Sequence, residues 1–382
     1  MVIKNGNVLM DDWKISRQDI YLQDEIIAGF SHPAMSGGEE VFDASGLYVL
    51  PGLVDIHIHG CMGVDFCDAE ENAIEKMAEY LLSRGVTSFL GTSMSYDFLK
   101  LQSVFETAKL FMEKKEAGGA RLCGIHMEGP FFSAAKKGAQ SGKYIVPPDI
   151  SLFEKLQTLS GGNIRLVDVA PEMDGAMEFI AKISPSVTVS LAHTEADYET
   201  SAEAFRRGAT HITHAFNAMP PFGHRDPGVI GAAFDAKAMP ELICDGKHIH
   251  PSVIRSVFSW FTDEKVILIS DAMRATGLSD GTYDLGGQEV TVFQNAATLK
   301  DGTLAGSVAD LFTCFQNAVS FGIPLESAAR AASFNPARAV GLSEHIGSIT
   351  VGKSADILIL DSKLQLKHVI RSGKWLENKK SM

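Results

Sequence analysis

The 382-residue sequence has no apolar run of the roughly 20 residues that a helix needs to cross a bilayer. Its first residues lack the basic start, the apolar stretch and the small-residue cleavage site of a secretory signal. Cysteine is scarce: five residues are scattered along the chain without a C-x-x-C pair. This excludes a disulfide framework or a cysteine-rich zinc module. We therefore expect a soluble protein of a reducing compartment, the cytoplasm.

Positive charge is also scarce. The chain has 34 Lys and Arg against 47 Asp and Glu, a formal net charge of −13, and no basic cluster interleaved with aromatic residues. Nucleic acids and anionic membranes would be repelled on average, so neither is an expected partner. A small anion can still be bound by a few local cations.

Eight β-rich segments alternate with helix-like segments through most of the chain. The segments span residues 53–59, 86–92, 122–128, 165–172, 187–193, 211–217, 241–246 and 265–271. Two intervening amphipathic stretches, residues 71–85 and 198–208, end in Arg-Gly, as helix C-termini often do. This alternation predicts an α/β fold with a closed (β/α)8 TIM barrel, because an open doubly wound sheet would usually offer fewer strands and a Gly-rich first turn.

The two ends of the chain have a different pattern. Residues 1–51 and 345–382 contain short alternating strands joined by Gly, Asn and Asp turns. They predict a small β-sandwich domain formed by both chain termini, with the barrel over residues 52–344. Residues 285–307 also have the pattern of a hairpin, which would be inserted after the eighth strand.

Two histidines lie one residue apart on the first predicted barrel strand. Side chains on a strand alternate between its faces, so His57 and His59 must point the same way. Other predicted strands carry further ligand-type residues at their carboxyl ends, which meet at one mouth of a barrel. These residues are Glu128, His193, His214 and Asp271. Four imidazoles and two carboxylates predict a divalent-metal site suited to zinc or iron.

A single strand histidine, such as His126 or His211, is more often a structural residue than a metal ligand. The joint pattern of six residues is different, because four buried imidazoles without partners would be costly. We therefore interpret the six strand-end residues together as one functional site.

The arrangement of H-x-H on the first strand, single histidines after the fifth and sixth strands, and an aspartate after the eighth resembles the amidohydrolase superfamily. The stretch GSITVGKSADILILD, residues 347–361, is similar to that superfamily's C-terminal segment. Many members with two metal ions bridge them with a carboxylated lysine on strand four, but residues 165–172 contain no lysine. The resemblance then implies that Glu128 serves instead.

Four motifs narrow this resemblance to one branch, the N-acetylglucosamine-6-phosphate deacetylases. They are HMEGP at residues 126–130, LAHT at 191–194, THAFNAMPP at 213–221 and DAMRATGLSDGTYDLGG at 271–287. The resemblance implies hydrolysis of the acetamide of N-acetylglucosamine 6-phosphate to glucosamine 6-phosphate and acetate, in amino-sugar catabolism or recycling.

The same resemblance implies the roles of the strand-end residues. Glu128, His193 and His214 would hold the principal metal ion. The pair His57 and His59 makes a second ion possible, so one or two zinc or iron ions per subunit are expected. Asp271 would take a proton from the attacking water as general base and later pass it to the leaving amine as general acid.

The substrate contacts that the resemblance implies are Asn217, the Ala218 backbone, His248 and Arg225, with Arg225 reaching the phosphate from the partner subunit of a homodimer. Without the resemblance, Arg225 would be interpreted as a solvated loop charge. Gln140 stands where the family commonly has histidine, near the sugar and the acyl group. A glutamine can donate a hydrogen bond but carries no charge, so N-acetylgalactosamine 6-phosphate is an alternative substrate.

Two other interpretations stay open. An amidohydrolase that acts on a cyclic amide or a nucleobase would explain the metal residues, but not the HAFNAMPP motif or the use of Glu128 in place of lysine. A non-catalytic barrel is a second alternative. The complete set of metal residues, together with Asp271, argues against it.

Glu128→Gln tests the metal assignment. Because strand four offers no lysine, Glu128 is the strongest anionic ligand candidate apart from Asp271, and we expect its loss to abolish both tight metal binding and turnover. Metal content of the purified variant and acetate release check this, with the wild type expected to hold at least one equivalent of a first-row divalent metal. Full wild-type activity after exhaustive chelation would contradict the prediction.

Overall fold

The computed structural model describes residues 1–30, 40–114 and 118–376. Residues 31–39 and 377–382 of the predicted terminal domain lie outside the described residues. Within the described ranges, no helix has both the length and the apolarity that crossing a membrane requires.

The first part of the chain is rich in strands. In order, these are β1 (Val2–Leu9), β2 (Ile15–Gln23), β3 (Ile26–Gly29), β4 (Val41–Asp43), β5 (Tyr48–Pro51), β6 (Leu53–Ile58), β7 (Gly60–Cys61) and β8 (Val64–Asp65). Strands and helices then alternate: α1 (Glu71–Ser83), β9 (Val86–Thr92), α2 (Phe98–Met112), β10 (Arg121–Met127), α3 (Ile150–Leu159), β11 (Ile164–Val169), α4 (Ala176–Ile183), β12 (Thr188–Leu191), α5 (Tyr198–Arg206), β13 (His211–Ile212), α6 (Gly228–Asp235), β14 (Met239–Ile243), α7 (Pro251–Phe261) and β15 (Ile267–Ile269).

The last part of the chain combines a small sheet, three helices and three closing strands. These elements are β16 (Gly281–Leu285), β17 (Gln288–Phe293), β18 (Ala296–Thr298), α8 (Leu311–Ser320), α9 (Leu325–Ala332), α10 (Phe334–Ala339), β19 (Ile357–Leu360), β20 (Leu366–Arg371) and β21 (Lys374–Trp375).

Eight parallel strands form the barrel in the order β6-β9-β10-β11-β12-β13-β14-β15. A parallel bridge between Ile58 and Ala272, just beyond β15, connects the last strand to the first. All residues of β6 and β9 are buried, as expected for parallel strands that are covered on both faces. The predicted (β/α)8 barrel is confirmed.

The helices around the barrel begin and end where their sequences indicate. Asp97 caps α2 by accepting a hydrogen bond from the Lys100 backbone N–H, and Asp310 caps α8 in the same way. The glycines that follow α1 and α5, Gly85 and Gly208, have φ values of 78° and 115°. Only glycine adopts such backbone readily, which explains the Arg-Gly helix ends.

Strands from both chain ends form a second eight-stranded sheet, in the order β21-β20-β19-β5-β1-β2-β3, with β4 also paired to β1. The antiparallel pair β19 and β5 joins the two ends of the chain. Buried aliphatic residues such as Ile3, Ile20 and Ile357 form its own core. The prediction of a small β-domain from both termini is confirmed, whereas its limits at residues 51 and 345 stay predictions.

The predicted hairpin at 285–307 corresponds to an antiparallel sheet of three strands, β16, β17 and β18. It begins at Gly281 and ends at Thr298. Gly281–Leu285 pairs along its whole length with β17, so the first strand starts before the predicted boundary.

Candidate metal centre and active site

The barrel brings all six predicted strand-end residues to one mouth. His57 lies on β6 and His59 follows it, while Glu128 follows β10 directly. His193, His214 and Asp271 each lie two residues beyond the end of their strand. All six side chains are buried, with residue exposures of at most 7%.

Glu128, His193 and His214 form the first candidate ligand group for a metal ion. The Glu128 Oε1 atom lies 3.2 Å from His193 Nε2 and 3.3 Å from His214 Nε2, and the two Nε2 atoms are 3.1 Å apart. A tetrahedral ion with ligand bonds of ~2.0–2.1 Å holds its ligand atoms roughly 3.3 Å apart. The spacing of these three atoms therefore fits a divalent metal ion.

The second candidate ligand group is His57, His59 and the same Glu128. His59 Nε2 lies 3.3 Å from Glu128 Oε2, and His57 Nε2 lies 3.6 Å from Glu128 Oε1. Among the described residues, the buried His57 Nε2 has no hydrogen-bond partner. A buried nitrogen in this state suits a metal ligand, since such atoms are rarely left unsatisfied. Asp271 Oδ1 is 3.4 Å from His57 Nε2 and 3.3 Å from His59 Nε2.

Three of the four histidines are held by the nitrogen that faces away from the site. The Nδ1 atom of His193 donates to the Lys136 carbonyl at 2.9 Å, and that of His59 donates to the Thr92 carbonyl at 3.3 Å. The Nδ1 atom of His57 contacts Glu241 at 3.0 Å. In the neutral ring this arrangement leaves a lone pair on Nε2, the form that binds metals.

The site strongly favours positive charge. Burial by itself lowers the pKa of His57, but the carboxylates of Asp271, Glu241 and Glu128 outweigh it and raise that pKa to about 9. Burial is likewise outweighed at His59, whose pKa lies well above its ordinary value. A proton or a metal cation satisfies the same requirement.

The backbone is strained at three of the site residues. His193, His214 and Asp271 have φ values of 46°, 31° and 48°. This left-handed region costs a non-glycine residue ~1–3 kcal/mol, and such residues cluster at functional sites. In each case the left-handed residue follows the end of a barrel strand by two positions.

Glu241 on β14 supports the site but is not among the residues predicted from the sequence. Its Oε2 lies 3.0 Å from His57 Nδ1 and accepts the His214 backbone N–H at 3.3 Å, while its Oε1 lies 3.2 Å from His211 Nε2. Burial raises its pKa, but hydrogen bonds from His211 and His57 outweigh this and keep the pKa low. The available signal was a glutamate in the otherwise apolar strand segment 239–243, because a charge among core residues needs partners.

His211 and His126 have structural partners, in agreement with their interpretation as core residues. His211 pairs with Glu241. His126 Nε2 lies 3.0 Å from Asp168 Oδ1, and Asp168 also accepts a hydrogen bond from Thr213 at 2.8 Å.

A cavity of about 520 Å³ opens onto the two candidate ligand groups. Four of the predicted substrate residues line it: Gln140, Asn217, Ala218 and His248. His248 Nδ1 is held by Asp245 Oδ2 at 2.7 Å. Arg225 lies elsewhere: it is exposed and lines a separate surface depression with Glu195 and Pro220.

Residues 48–376 match the amidohydrolase family. The chain belongs to the amidohydrolase family. This confirms the resemblance drawn from the strand-end residues, and it agrees with a hydrolytic enzyme whose Glu and His side chains can hold a metal ion.

Curated relatives align over nearly the whole chain. N-acetylglucosamine-6-phosphate deacetylase of Bacillus subtilis (strain 168) is 39% identical, over 97% of this chain and 93% of the relative. N-acetylgalactosamine-6-phosphate deacetylase of Escherichia coli O157:H7 is 31% identical, over 97% of this chain and 98% of the relative.

Solved structures also match nearly the whole chain. A mutant of N-acetyl-D-glucosamine-6-phosphate deacetylase from Mycobacterium smegmatis, in complex with N-acetyl-D-glucosamine-6-phosphate, has a TM-score of 0.91 at 30% identity and covers 98% of both chains. The N-acetylglucosamine-6-phosphate deacetylase from Pasteurella multocida has a TM-score of 0.92 at 26% identity and covers 99% of both chains.

Glu241→Gln tests the support of His57. The amide of glutamine has only one oxygen, so it cannot accept hydrogen bonds through both terminal atoms as Glu241 does. We therefore expect His57 to be less well oriented in the variant. The affinity of the weaker of two metal-binding steps should fall ~10–100-fold. The tighter step should change much less. Calorimetric titration of metal-free protein with Zn²⁺ measures both steps. Glu154→Gln, on the exposed face of α3, is the control. Equal weakening of both steps, or of neither, would contradict the prediction.

Proposed function

We propose that the chain hydrolyses the acetamide of N-acetylglucosamine 6-phosphate to glucosamine 6-phosphate and acetate, in amino-sugar catabolism or recycling. The observation that carries this proposal is the ligand group of Glu128, His193 and His214 beside Asp271, at the base of a cavity lined by Asn217, Ala218 and His248. Relatives with this activity in their names align over nearly the whole chain.

The metal ion in this proposal is zinc or iron. Glu128, His193 and His214 would hold the principal ion, and His57 with His59 would hold a second ion that shares Glu128, giving one or two ions per subunit. A divalent ion in such a site polarises an amide carbonyl and makes a bound water more acidic. Histidine and carboxylate ligands suit both metals.

Asp271 would move the proton. Burial opposes its ionisation, but His57 and His59 outweigh this and hold its pKa below the ordinary value, so its carboxylate is ready to accept a proton. As water adds to the carbonyl carbon, Asp271 accepts the proton that the water loses. When the carbon–nitrogen bond breaks, Asp271 passes this proton to the leaving amine nitrogen.

The phosphate would be bound at the other end of the cavity by Asn217, the Ala218 backbone and His248. We propose that Arg225 completes this site from the partner subunit of a homodimer. The placement of Arg225 outside its own chain's cavity supports this, as does the planar guanidinium, which can bind phosphate through two hydrogen bonds.

N-acetylgalactosamine 6-phosphate is the second candidate substrate, because a relative that is 31% identical over nearly its full length carries that name. We further propose that the enzyme works in the cytoplasm. All five cysteines, which lie within the described residues, are free thiols, and this suits a reducing compartment.

Acetate release from a small substrate panel tests the proposal. The panel contains both N-acetylhexosamine 6-phosphates, unphosphorylated N-acetylglucosamine and a cyclic amide. We expect turnover of at least one phosphorylated sugar and little of the other compounds, and metal content is measured on the same sample. Preferred turnover of the cyclic amide would overturn the assignment.

Asp271→Asn separates proton transfer from metal binding. Because the ligand group of Glu128, His193 and His214 is intact, the variant should keep its principal metal ion. Turnover should fall by ~10²-fold or more, the usual scale for loss of an acid–base group. Metal content and kcat check the two halves of the prediction. Activity near that of the wild type would mean that another residue is the base.

Mixed dimers test the position of Arg225. At low substrate, Arg225→Ala and Asp271→Asn homodimers should both be nearly inactive. A hybrid dimer would contain one site with native Asp271 and the partner's native Arg225, so mixing the variants should restore activity. Hydrolysis of the unphosphorylated sugar should barely respond to Arg225→Ala. If subunit exchange is confirmed and no activity returns, Arg225 does not act across the interface.

A further inference from the structure

Gln140 is fixed in one orientation within the wall of the active-site cavity. The residue is only 2% exposed, and its Oε1 accepts the backbone N–H of Ser95 at 2.7 Å. Because a backbone N–H can only donate, the atom that faces it must be the amide oxygen. The amide nitrogen of Gln140 is therefore the atom that faces the metal ligands.

The Nε2 atom of Gln140 donates to Glu128 Oε2 at 2.6 Å. It also lies 3.5 Å from the sulfur of Met94. An amide nitrogen has two hydrogens, and these two contacts use both of them. The polar atoms of the Gln140 side chain are thus engaged by the protein itself.

The contact determines how Glu128 presents its two oxygens. The terminal torsion of a glutamate is broad and defines no single orientation by itself. The bond from Gln140 holds Oε2, which also lies 3.3 Å from His59 Nε2. The other oxygen, Oε1, then lies 3.2 Å from His193 Nε2 and 3.3 Å from His214 Nε2. One hydrogen bond therefore orients the carboxylate that both ligand groups share.

The loop that carries Gln140 also holds a second ligand. The carbonyl of Lys136, four residues earlier, accepts the hydrogen bond from His193 Nδ1 at 2.9 Å. In the same loop, the carbonyl of Ala139 accepts a hydrogen bond from the side chain of Gln288 on β17. Two of the three principal ligands are thus held by one loop, which the small antiparallel sheet supports.

We infer that Gln140 is a positioning residue that orients Glu128 for metal binding, and that it does not discriminate between gluco and galacto sugars. The inference rests on the proposed function for the identity of the two test sugars. Gln140 suits the role because it is neutral: it can hold a carboxylate oxygen without adding a positive charge beside the metal ion. Hydrogen bonds to metal-binding carboxylates commonly tune metal affinity in this way.

Gln140→Met tests the inference, because methionine has a similar length and cannot donate to Glu128. We expect the affinity of the principal site for Zn²⁺ to fall ~10–100-fold in competition with a chromophoric chelator. The ratio of kcat/KM values for the gluco and galacto substrates, measured at saturating metal, should stay within about twofold of the wild-type ratio. Ser95→Ala is the matched control, because it keeps the backbone N–H that holds Gln140, and its metal affinity should be unchanged.

Unchanged metal affinity in Gln140→Met would overturn the inference, and so would a shift of roughly tenfold or more in the sugar preference. If Gln140→Met does not fold, Gln140→Ala is measured in the same way with the same expected results. A wild-type protein that binds Zn²⁺ but hydrolyses neither sugar would refute the proposed function alone, since the metal titration still decides the role of Gln140.

Discussion

One buried carboxylate, that of Glu128, connects the two ligand groups of the barrel mouth. Removing such a group from water is costly unless cations and hydrogen-bond donors surround it. Burial opposes its ionisation, but the charge of His59 and the hydrogen bonds from His193 and His214 hold its pKa well below the ordinary value. The ionised carboxylate of Glu128 therefore requires positive charge among the surrounding histidine rings. Metal binding and the stability of the barrel mouth are therefore coupled.

The surrounding structure is arranged to keep the ligands in place rather than to add further ones. Glu241 on β14 holds His57, the Lys136 carbonyl holds His193, and Gln140 holds Glu128. His57 and His193 are held through Nδ1, the ring nitrogen that faces away from the site, whereas Glu128 is held through Oε2, the oxygen that also faces His59. Such supporting contacts restrict ring and carboxylate orientation, and this lowers the entropy lost when an ion binds.

Much of this arrangement could be predicted from the sequence because it depends on local patterns. The spacing of His57 and His59 fixes a common face on a strand, and the alternation of elements predicts the barrel. The predicted strand at 211–217 is too long, since regular pairing ends at Ile212 and both His214 and Phe216 have positive φ values. The partners of Glu241 and Gln140 could not be predicted. The contact of Glu241 with His57 joins two distant strands, and that of Gln140 with Glu128 lies within the irregular connection between β10 and α3. A single sequence contains no pattern for side-chain orientation in either case.

The left-handed backbone at His193, His214 and Asp271 has a consequence for protein engineering. Glycine would relieve the conformational cost at each position, but it would also remove the side chain that the site needs. Selection for heat resistance of the metal-free protein should therefore favour substitutions here that inactivate the enzyme. These three positions are where a trade-off between stability and activity should be strongest.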